Sequence, residues 1–151
     1  MSGVNVGLDT NILVYAVDNR DPVLCRRAQG LVELAAGSGR CLIALQSIGE
    51  FYAAVTQRGL QPPEEAASQA RDWMSLFQVV EPATKDAASA LAVAAGRLSY
   101  WDCLLLATLR RAGCTTLLSE DMQDEAVVAG VTVHNPFVGE VLPEPIAVLL
   151  A

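Results

Sequence analysis

Val4-Asn5-Val6-Gly7-Leu8-Asp9-Thr10-Asn11-Ile12-Leu13 decides the fold class. Val4 to Leu8 alternates weakly and is β-branched in part, as a buried strand is, and Asp9-Thr10-Asn11 carries the residue types that open a helix. A strand over Val4–Leu8 feeding a helix from Ile12 to Val17 is therefore expected, with an acid at the joint. The same unit recurs outward along the chain. After Asp21-Pro22 a helical stretch carries Leu24, Ala28, Leu31, Val32 and Ala35, until Gly37-Ser38-Gly39 stops it. Cys41–Leu45 reads as the second strand, and Ser47 with Glu50 has capping-box spacing for a helix reaching Arg58. Pro62-Pro63 opens a helix over Glu64–Met74, and Phe77–Val80 is the third strand.

Pro82 starts an alanine-rich helix to Ala95, and Ser99 caps another through Asp102 to Arg111, whose closing arginines suit the negative end of the helix dipole. Thr115–Leu118 is the fourth strand, Met122–Val128 a short helix, and Val131–Val133 the fifth strand. Short apolar strands alternating with helices, and no hairpin dipeptide between neighbours, predict an α/β three-layer sandwich: a five-stranded parallel sheet flanked by helices. Residues 1–137 form the domain. Residues 138–151, with two prolines and an apolar end, are expected to pack on the domain or on a partner.

The chain has 151 residues, 52% of them hydrophobic, enough for one domain that buries about 70% of its unfolded surface. Its apolar stretches are cut by Lys85, Asp86, Arg97, Asp102 and Arg110, so no membrane span is expected, and the strand-length run before Asp9 does not read as a secretory leader, so export is not expected. Cys25, Cys41, Cys103 and Cys114 lie too far apart for a zinc or redox motif and read as reduced thiols of a cytoplasmic protein. The net charge of −7 disfavours holding a polyanion by bulk charge alone. Two divalent cations would bring it to about −3, which directs attention to the acids.

Ligands of open α/β sheets bind beyond the carboxyl ends of the strands. Asp9 stands at such an edge; a helix N-cap is its competing role. Glu50 is the sole acid between Glu33 and Glu64 and has the Ser47 capping box as its alternative. Asp102 sits between Trp101 and Cys103-Leu104-Leu105-Leu106, where a carboxylate is expected to be partly buried and in need of a partner, or favoured merely by the helix dipole. Asp121 follows the fourth strand, and Glu120 and Asp124 compete with it. Together, four carboxylates would repel one another and hold protons unless cations neutralised them. Oxygen-only donors select hard ions, Mg²⁺ or Mn²⁺, and such a site hydrolyses phosphodiesters without a protein nucleophile. His134 has no partner motif and reads as structural. Arg20, Arg40, Arg58, Lys85 and Arg97 are candidate phosphate contacts, or simply solvated cations.

Leu8-Asp9-Thr10-Asn11-Ile12-Leu13, Glu50 in Ile48-Gly49-Glu50-Phe51, Trp101-Asp102, Leu118-Ser119-Glu120-Asp121-Met122-Gln123-Asp124 and Asn135-Pro136-Phe137 occur in an order that resembles a PIN domain, more narrowly the VapC-type toxins of type II toxin-antitoxin pairs. The resemblance implies a Mg²⁺- or Mn²⁺-dependent endoribonuclease acting on RNA, a homodimer, and an antitoxin partner. It carries Asp9, Glu50, Asp102 and Asp121 over as the catalytic and metal-binding quartet, with Thr10, Ser119 and Asp124 in support. Two other readings compete. A phospho-acceptor signalling module would want an acid after a central strand, whereas Phe77–Val80 ends in Glu81-Pro82. A catalytically inactive PIN-like binding protein would spend the acids on caps and ion pairs.

Overall fold

A computed structural model describes residues 5–151 of the chain. Strand β1 (Asn5–Leu8) leads into helix α1 (Thr10–Tyr15); Val4, the expected first residue of that strand, lies outside the described residues. Helix α2 (Pro22–Ser38), β2 (Cys41–Ala44), α3 (Leu45–Gln57), α4 (Pro63–Leu76), β3 (Gln78–Val80), α5 (Thr84–Val93), α6 (Tyr100–Arg111) and β4 (Cys114–Leu118) follow. Strands β5 (Val127–Val128) and β6 (Val131–His134) and helix α7 (Glu144–Leu149) complete the chain.

The six strands are ordered β3-β2-β1-β4-β6-β5, and every pairing is parallel except β5 with β6. The chain builds outward from β1 on one side through β2 and β3, then returns to lay β4 on the other side of β1. The strand order thus reverses between β1 and β4, where the carboxyl ends of an open α/β sheet leave a crevice. Asp9 and Ser119 are the residues that immediately follow these two strands, and the Asp9 N–H donates to the Leu118 carbonyl at 3.0 Å.

Alternation along the strands divides the core between two faces. Val6, Leu8, Cys41, Ile43 and Leu118 pack with α1 to α4, and Leu42, Ala44 and Leu117 pack with Leu105, Leu106 and Leu109 of α6. Gly7 points at α6, where a Cβ would fall 2.6 Å from Leu109 Cδ1, so this strand has no room for a side chain on that face. Asp86, buried at the start of α5, accepts from Arg111 Nε at 2.9 Å and from the Ala83 N–H at 2.7 Å, tying α5 to the end of α6. All four cysteines are buried and free. Ile146 and Leu150, at the end of the chain, are buried against the α1–α4 side.

Two local expectations are corrected. The sheet has six strands rather than five, because Met122–Val128 is not a helix: Val127 and Val128 form β5, folded back on β6 by Ala129 and Gly130, both at positive φ. Two β-branched residues gain more from pairing with Val131 and Thr132 than from one isolated helical turn. The Arg110 guanidinium donates to the Ala129 carbonyl and braces this turn. Likewise Ser47 is no N-cap. Helix α3 begins at Leu45 straight out of β2, and Ser47 is buried within it, its hydroxyl without a partner among the described residues.

Candidate active site

Asp9 is the centre of the arrangement. Its extended backbone at the end of β1 makes it the N-cap of α1, with the Thr10 N–H donating to Oδ1 at 2.7 Å. The capping role and the edge position anticipated separately are thus held by one residue. Its other oxygen, Oδ2, accepts from the Ser119 hydroxyl at 2.7 Å. Only 7% of Asp9 is exposed, and this burial pushes its carboxyl up to about 6 against the hydrogen bonds of Ser119 and Thr10, with the charges of Asp121 and Glu50 adding to the rise.

Ser119 organises the opposite wall. Its Oγ also accepts from Asn11 Nδ2 and from the Asp121 N–H, each at 3.1 Å, while Asn11 Oδ1 accepts from the Glu120 N–H at 3.3 Å. Asn11 therefore clamps the turn after β4 to the start of α1. The Tyr15 hydroxyl donates to Glu120, a bond that, with burial, pushes the phenol up to about 12. Of the three acids competing after β4, Glu120 is engaged by Tyr15 and Asp124 accepts from the Asn135 N–H at 2.8 Å, bracing the exit of β6. Asp121 is the one that lines the cavity with Glu50.

That cavity, about 280 Å³, is walled by Thr10, Asn11, Tyr15, Glu50, Arg58 and Asp121 among others. Glu50 is exposed in the second turn of α3 and receives Gln46 Nε2 at 2.9 Å, the same nitrogen reaching the Trp101 carbonyl at 3.0 Å. Because no capping box forms, the Glu50 carboxylate is not spent on the helix start. Asp102 lies in the first turn of α6, half-buried, its backbone N–H donated to the Ser99 cap at 3.1 Å. Asp102 and Asp121 both line a second cavity of about 630 Å³, which shares Asp121 with the first.

The quartet therefore shares one edge of the sheet, with Asp9, Glu50 and Asp121 coupled electrostatically and Asp102 reached through Asp121. Among the described residues, no three acid, histidine or cysteine side chains are gathered tightly enough to hold an ion as they stand. The donor chemistry nonetheless fits a hard cation. A desolvated carboxylate feels the charge of two more, and the Thr10 hydroxyl, next to it in the chain, is buried without a partner among the described residues. Glu50, Asp102 and Asp121 form no ion pair among the described residues and have exposed surface, so none of the three is held by a cationic side chain there. Asn11, Gln46 and Tyr15 went unnoticed in the sequence, since their partners lie on other elements. Of the scattered cations, Arg58 reaches the acid-lined cavity and Arg97 the adjoining one; Arg20 pairs with Asp18 at 2.8 Å.

This edge, on this topology, belongs to a recognisable class: α/β domains with acids at the strand-order switch. The PIN domain family model matches residues 6–127, and the chain belongs to the PIN domain family. Its fold is similar to VapBC2 from Rickettsia felis, described as bound to a DNA fragment from their promoter, with a TM-score of 0.65 and 16% identity over 87% of this chain and 98% of that one. It is similar also to VapC20 of Mycobacterium tuberculosis, described as a Sarcin-Ricin loop cleaving toxin (TM-score 0.60, 14% identity, 78% and 92% covered), and to a toxin-antitoxin complex from Klebsiella pneumoniae (0.62, 21%, 88% and 98%). In sequence, no curated protein matches. No described helix is long and apolar enough to cross a membrane.

Proposed function

We propose that this chain is a Mg²⁺- or Mn²⁺-dependent endoribonuclease acting in the cytoplasm as the toxin of a toxin-antitoxin pair. The observation that carries the reading is Asp9: a carboxylate buried at the strand-order switch, its pKa raised to about 6 mainly by that burial, with the charges of Asp121 and Glu50 adding to the rise. A group placed so is costly to the fold unless a cation repays it. Asp9, Glu50, Asp102 and Asp121 would hold the ion, which when bound supplies a water of lowered pKa and neutralises charge on the phosphoryl oxygens.

The protein's own part is positioning. Ser119 and the Thr10 N–H fix both oxygens of Asp9 before any ligand arrives, and Asn11 fixes Ser119. Gln46 restrains Glu50 and ties it to the start of α6, beside Asp102. Arg58, on the rim of the acid-lined cavity, is placed to meet a phosphate that the acids would otherwise repel. Relatives described as toxins and toxin-antitoxin complexes support a cognate antitoxin as partner. A homodimer would cover Leu45 and Trp101, exposed on either side of the Gln46 to Trp101 hydrogen bond.

Incubation of the purified protein with end-labelled single-stranded RNA tests the proposal. Cleavage is expected with Mg²⁺ or Mn²⁺ and not in EDTA, and Asp9→Asn and Asp102→Asn should each lose on the order of 100-fold while keeping the wild-type circular dichroism. Equal cleavage in EDTA, or by either variant, would refute it.

A further inference from the structure

The larger cavity is not accounted for by holding a cation. It opens between α5, α6 and the β5 hairpin, and its wall is mainly apolar: Val93, Leu98, Leu106, Met122 and Val128. Three polar side chains interrupt it, Ser89, Arg97 and Gln123, and Asp102 and Asp121, two of the proposed cation ligands, also line it. At about 630 Å³ it lies within the ~300–1,000 Å³ range of pockets that take small organic groups.

We infer that this cavity receives an unstacked nucleobase of the RNA strand, from the nucleotide next to the phosphate held at the acids. The inference rests on the ribonuclease reading and adds to it a base-selecting subsite. Continuity with the acids identifies the occupant, because a strand whose phosphate reaches Asp121 has its neighbouring base within reach of the cavity that Asp121 also lines. Single-stranded RNA is read by splaying a base into such a pocket, laying it against apolar groups or a guanidinium plane, and satisfying its edge with hydrogen bonds. The wall supplies each element: Leu98, Leu106 and Met122 for the faces, Arg97 for the cationic plane, and Ser89 and Gln123 for the edge. Gln123, with both a donor and an acceptor, and Ser89, with a hydroxyl that is either, can discriminate among bases. The pocket is built across α5, α6 and the β5 hairpin, so a segment anticipated as a helix instead supplies one of its walls.

Two measurements on the full chain test this. In the first, adenosine, guanosine, cytidine and uridine monophosphates are titrated without divalent metal while backbone amide shifts are followed by NMR. One base should perturb Leu106, Met122 and Val128 at least threefold more tightly than the others. Ala107→Leu and Ala126→Leu, two independent ways of filling the cavity from α6 and from the loop before β5, should each weaken it at least tenfold. In the second, cleavage of a randomised RNA pool should show a preference at one position beside the cut, lost in whichever filled variant keeps the wild-type spectrum. Wild-type cleavage unchanged in preference by filling, with no monophosphate perturbing the cavity, would overturn the subsite and leave the ribonuclease standing. Base-dependent perturbation without any metal-dependent cleavage would overturn the ribonuclease and leave a nucleotide pocket. Filling that changes only the mass in light scattering would assign the cavity to contact between copies and end the proposal.

Discussion

Replacing Asp9 by Asn should stabilise the metal-free protein at neutral pH, although it destroys the proposed site. Holding the carboxyl at about 6 rather than 3.8 makes its ionisation in the folded chain cost roughly 3 kcal/mol. Because the folded value is the higher one, the favourable contribution of the protonated group is fully present below pH 3.8 and is lost as the pH rises through about 6. Asn cannot ionise and escapes that loss. About 1 kcal/mol is given back because the amide replaces a charged acceptor for Ser119, whose Oγ already takes two other donors. The net gain at pH 7.5 in EDTA is then about 2 kcal/mol, or roughly 4–8 °C in Tm for a chain of this size. At pH 4, where wild-type Asp9 is largely protonated, the gain should vanish or reverse by about 1 kcal/mol. Urea unfolding of both proteins at the two pH values measures it. Adding Mg²⁺ at pH 7.5 should stabilise only the wild type, through binding to the folded state. An Asn variant whose stability relative to wild type is the same at both pH values would show that Asp9 is not the strained group described.

Ser119→Ala removes a donor to Asp9 and leaves Asn11 Nδ2 and the Asp121 N–H without their acceptor, so it should cost about 2 kcal/mol and raise the Asp9 carboxyl above its wild-type value. Chemical unfolding and NMR titration of the carboxyl carbon measure the two effects. Asp86→Ala breaks the Arg111 pair and uncaps Ala83, and should cost about 3 kcal/mol in urea unfolding; an effect below about 1 kcal/mol would mean that α5 is held by its apolar contacts alone.

What could be read from the sequence and what could not divide by the range of the interaction. β1, β2 and β4 are short apolar runs bounded by acids, glycine or serine, and their pattern is local, as is the Ser99 cap that starts α6. β5 escaped because two residues carry no period, and Ala129-Gly130 is not a common hairpin dipeptide, although valines on both sides of it were a usable signal. Ser47 and Glu50 have the spacing of a capping box, but β2 enters the helix without a turn, so the serine is already inside it. In the site, the position of Asp9 at the sheet edge followed from its place after an apolar strand, whereas its burial was not anticipated. The clamps did not, because Asn11 meets Ser119, and Tyr15 meets Glu120, more than a hundred residues away in the chain. Asp124 looked equivalent to Asp121 in the sequence, and only the path of β6, which brings Asn135 to it, separates the two.

Crystals grown with Mn²⁺ and measured at the manganese absorption edge put the central claim to its most direct test. Anomalous density should mark an ion bound by Asp9, with Glu50, Asp102 and Asp121 rotated inward around it. Density far from Asp9, or none at saturating Mn²⁺ with the Asp9 carboxylate still bonded only to Ser119 and Thr10, would contradict it.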